Sequence, residues 1–210
     1  MAEMSMNKAI HGAFRRDLTR FITALSSFPL GDAKRGKQLA AAWANFDDQL
    51  TQHHTGEHEI AWPALTAVGV SPSLLADMDA EHDVMATAVA DVRAAIPALT
   101  TSAKNDDVTT ARAAFERLEA VTVAHFEHEE AELEPVYAEK SDTPEIKAMG
   151  RAFGKVSPTR GGRFFAWVAD GASPEEMAAV TRDVPGPVLE IIGGIFGRGY
   201  RKNIAPVWKS

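Results

Sequence analysis

The sequence predicts an all-α fold: an antiparallel up-down four-helix bundle over residues 1–140, with short helices in a C-terminal extension, 141–210, that packs on the bundle. Three observations predict it. Apolar residues recur every three or four positions in four long stretches, the pattern of helices with one buried face. Short breaks carrying Pro, Gly or polar residues separate the stretches, so consecutive helices run antiparallel. After Lys140 the long period gives way to brief segments, several of them opened by a hydroxyl residue followed by proline.

The first helix runs from about Ser5 to Ser27 and buries His11, Phe14, Leu18, Phe21, Leu25 and Phe28. Phe28-Pro29-Leu30-Gly31 stops it. Asp32 caps the second helix, whose seam is Leu39, Trp43, Phe46, Leu50, His53, Glu57 and Ile60. This helix is expected to end near Trp62, because a residue before proline avoids the helical region. Gly56 lies within it, at a cost of ~1 kcal/mol against alanine. Ala64–Val70 reads as a loop.

Ser71-Pro72 opens the third helix, which presents Leu75, Met78, His82, Met85, Val89, Val92 and Ile96 and is expected to stop before Pro97. Thr100–Asn105 reads as a polar connection. Asp106 and Asp107 place negative charge at the start of the fourth helix, as its dipole prefers. Its seam is Phe115, Leu118, Thr122, His125, Glu129, Leu133 and Val136, ending near Tyr137. Beyond it, Thr143-Pro144, Ser157-Pro158 and Ser173-Pro174 read as caps, the last with Glu176 completing a capping box.

Composition excludes several chemistries. The chain has no cysteine, hence no disulfide, thiolate metal site, iron–sulfur cluster or cysteine nucleophile. Residues 1–140 hold 12 Lys and Arg against 22 Asp and Glu, which argues against nucleic acid as a partner; residues 141–210 hold 10 against 7. Met1–Phe14 lacks an apolar core of signal-peptide length, and no run of about 18 apolar residues occurs, so a cytoplasmic protein with no integral membrane segment is expected.

The chemistry lies in the seams. Histidine and glutamate bury poorly, and an unpaired buried carboxylate costs several kcal/mol or neutralises itself. Yet each of the four helices aims a histidine inward, and two add a glutamate one turn later: His11, His53-x-x-x-Glu57, His82 and His125-x-x-x-Glu129. Residues four apart share a helix face. Imidazole and carboxylate without thiolate suit iron, manganese or zinc. Six such ligands are too many for one tetrahedral ion, and they serve two octahedral ions if both carboxylates bridge. The Glu-x-x-His pairs of ferritin-like centres are missing.

His54, His58 and His128 fall off the seams and are expected to face solvent, although His54 and His58 are a rival pair if the second helix is rotated. Glu130 is the alternative to Glu129, and the spacing shared with His53 and Glu57 favours Glu129. Glu81, Asp83 and Glu127 read as an acidic face with an outer role toward an imidazole open to them. Tyr137 reads as a contact at the helix end. Pro187–Trp208, apolar and then basic, has three readings: packing across one end of the bundle, a homodimer contact, or association with an anionic membrane surface.

The order His11, His53-x-x-x-Glu57, His82, His125-x-x-x-Glu129, opened by His11-Gly-Ala-Phe-Arg-Arg-Asp-Leu, resembles the hemerythrin-like (HHE cation-binding) family over about residues 6–138. Phe164–Trp208 resembles the extension of actinobacterial hemerythrin-like proteins. The resemblance implies an oxo- or hydroxo-bridged centre of two Fe ions. His11, His53, His82 and His125 would be terminal ligands, with Glu57 and Glu129 as bridges. The oxygen-carrying members place His-x-x-x-His on the third helix, whereas position 86 here is alanine. One fewer imidazole favours reaction with peroxide or nitric oxide, or sensing, over reversible oxygen transport. Either an oxidoreductase or a non-catalytic iron, oxygen or redox sensor is implied, with a diatomic molecule or peroxide as ligand.

Overall fold

Ser5 is extended, and its hydroxyl accepts the Lys8 N–H at 3.0 Å, which fixes the start of α1, Met6–Ser26. The computed structural model describes residues 4–209; the expected segment ends at 1–3 and 210 lie outside them. Gly31, with φ +80, turns the chain into Asp32, which caps α2, Ala33–Gly56, through Arg35 N–H. Ser71 caps α4, Pro72–Thr101. Asp107 accepts the Lys104 N–H at the head of α5, Asn105–Glu132. These four helices form the bundle, with α5 between α1 and α4 and α2 on the far side of α4. Their inward residues from Phe14 to Phe115 form one core, with Phe21 stacked on Phe115 at 4.4 Å.

Both proline-based endings require correction. The second helix does not stop at Trp62. It widens into a π-helical turn, Glu57–Ala61, where the Trp62 N–H reaches back to the Glu57 carbonyl, and continues as α3, Trp62–Ala67. Pro63 has no N–H to place, and the wider turn leaves room for its ring. Most of the expected loop 64–70 is therefore helix. Likewise α4 carries Pro97 inside it for one further turn, and the Thr100 and Thr101 hydroxyls donate to the Pro97 carbonyl. The fourth helix breaks earlier than expected, at Leu133, and Pro135 starts a separate turn, α6, Glu134–Lys140.

The C-terminal helices are α7, Pro144–Phe153; α8, Pro158–Val168; α9, Pro174–Asp183; α10, Gly186–Phe196; and α11, Arg198–Asn203, with a final 3-10 turn, Ala205–Lys209. Thr143, Ser157 and Ser173 cap as the sequence predicts, and Glu176 returns to the Ser173 N–H. Trp167 is buried against Phe14 at 4.7 Å, and its indole N–H donates to Asp17 at 2.8 Å. α9 lies along α1, while α10 packs on α8 and leaves Val188, Ile191, Ile195 and Phe196 exposed. α7 covers α3 and the π turn. By length and composition α4 could cross a membrane, but Met78, Met85, Val89 and Val92 spend its apolar face on the bundle.

Candidate metal centre

The up-down topology brings the beginnings of α1 and α4 to the same pole as the ends of α2 and α5. His11 lies near the start of α1, His53 and Glu57 at the junction of α2 with the π turn, His82 in the first half of α4, and His125 and Glu129 near the end of α5. All six sequence-predicted residues meet there. Glu57, Glu129, His11 and His125 are buried, and His53 and His82 nearly so.

Donor atoms fall into two groups, each within 4.8 Å: His11, His53, Glu57 and Glu129; and His54, Glu57, His82 and His125. In the first, His11 Nε2 lies 3.1 Å from Glu129 Oε2 and 3.2 Å from His53 Nε2, and His53 Nε2 lies 3.0 Å from Glu57 Oε1. In the second, His82 Nε2 lies 3.0 Å from His125 Nε2 and 3.4 Å from Glu57 Oε2. Donors bound to one ion at about 2.1 Å stand about 3.0 Å apart at octahedral angles and about 3.4 Å apart at tetrahedral angles. The spacing is that of ligands around cations.

Outer hydrogen bonds set the tautomers. His11 Nδ1 bonds Glu130 at 2.9 Å, and Glu130 is held by Arg15 at 2.7 Å. His125 Nδ1 bonds Glu81 Oε2 at 2.8 Å. Each carboxylate accepts a hydrogen bond from Nδ1–H, which leaves the Nε2 lone pair aimed inward, the arrangement that orients metal-binding imidazoles. Glu130 thus supports His11 and joins neither donor group, whereas Glu129 does. Glu81 takes the outer role open to the acidic face.

Electrostatics reports the same frustration. Burial pushes Glu57 well above the usual carboxylate range, and the Glu129 charge adds to it. Both Glu57 oxygens are buried without a hydrogen-bond partner among the described residues; the His53 nitrogen at 3.0 Å has the distance of an ion pair but not the angle of a hydrogen bond. Burial opposes charging His11, yet Glu129 and Glu130 outweigh it and raise the imidazole to about 9. Burial lowers His53 to about 3 and His82 to about 4. Without a metal, a charged His11 and a protonated Glu57 relieve the crowding of these donors; a cation would take the place of both protons.

One expectation fails. His54 does not face solvent: its ring stacks on His82 with centroids 4.0 Å apart, and its Nε2 is buried without a hydrogen-bond partner among the described residues. His58 is 70% exposed, as expected, and His128 is partly exposed and bonds Glu81 at 2.7 Å. Tyr137, at the helix end as expected, is half-buried against the Leu133 cluster, and burial and then Glu129 and Glu57 raise its hydroxyl far above the ordinary value.

The family model for the hemerythrin HHE cation-binding domain matches residues 5–137. The chain belongs to that family. No curated protein and no solved structure matches it. The HHE match spans the bundle, contains both donor groups, and ends within α6. In this HHE domain the His and Glu residues are positioned for a metal site. Aromatic walls keep the site dry: Phe126 stacks on His11 at 3.8 Å, and Trp62 lies parallel to His82 at 6.1 Å.

Proposed function

We propose that this HHE domain holds two iron ions through His11, His53, Glu57, His82, His125 and Glu129, and binds or reduces dioxygen, peroxide or nitric oxide in a cytoplasmic stress response. One observation carries the reading: Glu57 belongs to both donor groups, so a single carboxylate joins two adjacent cation positions. A ferrous pair supplies the two electrons that reduction of peroxide consumes. The chain contributes position and dryness. Glu81 and Glu130 fix the imidazoles, while Phe14, Phe126 and Trp62 exclude water from the reacting face.

The test is anaerobic loading with ferrous iron, metal analysis, and rapid mixing with peroxide or nitric oxide. About two irons per chain, near-ultraviolet charge-transfer bands after oxidation, and a burst of oxidant consumption are expected. Protein that binds no iron, or binds it and consumes none of these ligands, overturns the corresponding half of the proposal.

A second reading, a non-catalytic sensor, draws on one contact. The Phe153 ring of α7 lies against Gly56, next to Glu57, so closely that a Cβ at Gly56 would stand 2.7 Å from Phe153 Cε1. Movement of Glu57 on metal loss would be felt at α7. Iron-dependent protease cleavage near Phe153 in a protein without turnover would favour this reading.

A further inference from the structure

Resting on that di-iron reading, we propose that His54 is itself a metal ligand, giving Nε2 to the position formed with His82, His125 and Glu57, so that Glu57 is the bridge that α2 supplies between two unlike positions.

The geometry begins in α2. At 100° per residue, Glu57 stands about 40° around the helix from His53 and about 60° on the other side from His54. The carboxylate therefore lies between two adjacent imidazoles that diverge by about 100°. The two donor groups divide accordingly. His53 joins His11 and Glu129 from α1 and α5, His54 joins His82 and His125 from α4 and α5, and Glu57 is common to both. Residues adjacent in sequence serve different ions because the shared carboxylate separates them.

Packing supports a ligand role over that of a filler. The His54 ring lies 19° from parallel with His82 and meets His125 edge-on at 6.0 Å. Three imidazoles and one carboxylate gather there, and among the described residues no Lys or Arg pairs with any of the four. His54 Nε2 is buried with no hydrogen-bond partner among the described residues, which is costly, and a cation among these four donors removes that cost.

Ala86, one turn beyond His82, is exposed and offers no donor. The third imidazole of this group comes instead from His54 on the neighbouring helix α2. Each ion then has four protein ligands even if Glu129 serves only one of them. The two positions differ in charge, one lined by two imidazoles and two carboxylates, the other by three imidazoles and one carboxylate.

The test compares wild-type protein with His54→Phe, which keeps a stacking ring but offers no donor, and His54→Leu, with His58→Ala as control. Ferrous iron and cobalt(II) are the probes; readouts are metal per chain, cobalt visible absorption and far-ultraviolet helicity. Wild type and His58→Ala are expected to hold about two ions, and both His54 variants about one, with helicity retained and the cobalt band reduced roughly by half. If either folded His54 variant keeps two ions and the wild-type cobalt spectrum, the proposal is overturned. Should wild type hold one ion, the di-iron reading fails, and the role of His54 is decided by whether its substitution changes that ion's spectrum. If wild type holds none, both fail.

Discussion

Glu81 Oε2 lies 2.8 Å from His125 Nδ1, while the other oxygen of the same carboxylate bonds His128 at the surface. The imidazole at the centre is thus aimed by a residue that is itself one-third exposed. Replacing Glu81 by alanine frees the His125 ring without touching a proposed ligand. Metal affinity is expected to fall about 10–100-fold with little change in helicity. Competition against a chromophoric chelator measures it, and unchanged affinity would show that Glu81 does not hold the ring.

His82→Ala removes a donor that lies close to both His125 and Glu57, and is expected to lose bound metal. His58→Ala alters an exposed ring and is expected to keep it. Metal analysis of the two proteins side by side distinguishes them; the reverse result would mean that the faces of α2 and α4 are misassigned.

Asp17 gives a pH signature remote from the metal ligands. Burial raises its carboxyl against the opposing effect of the Trp167 hydrogen bond and Arg20. A raised folded value means that stability linked to this proton is complete below the unfolded pKa, about 3.9, and is lost as pH rises through the folded value. Asp17→Asn retains an acceptor for Trp167 but has no such proton. Relative to wild type, the variant should therefore look better at pH 7 than near pH 4. Urea unfolding at the two pH values tests the sign, and a difference independent of pH would contradict it.

Gly36 lies at a close approach of α2 to α4, where an added Cβ would collide with the Leu99 carbonyl oxygen. That oxygen belongs to backbone and cannot rotate away. Despite the higher helix propensity of alanine, Gly36→Ala is expected to destabilise the fold by about 1–3 kcal/mol. Thermal unfolding measures it; an unchanged or raised midpoint would show that the two helices separate freely.

The four seams were legible because their period and their misplaced polar residues coincide. Phe46 or Phe115 alone indicates only a buried face, but His53 and Glu57 in register with His125 and Glu129 indicate what that face must hold. Spacing also separated Glu129 from Glu130. His54 is legible only as half of a rival pair with His58, because seam logic assigns one face to a helix, whereas a carboxylate three residues later can draw in its flank. Pro63 and Pro97 were read as stops because local rules omit what tertiary packing compensates. The pairing of Asp17 with Trp167 spans 150 residues and has no local signature.

The placement of every donor at one pole gives the bundle two unlike ends. At the opposite pole the Gly31 N–H bonds the Ala103 carbonyl, and Val207 and Trp208 pack beside Phe21. That end is secured by ordinary apolar contact and backbone hydrogen bonds, which owe nothing to metal. Loss of a metal from that pole would therefore leave a half-fastened molecule, slack where the histidines face one another and still clasped at its base, so that reloading resembles closing a clamp more than refolding a chain.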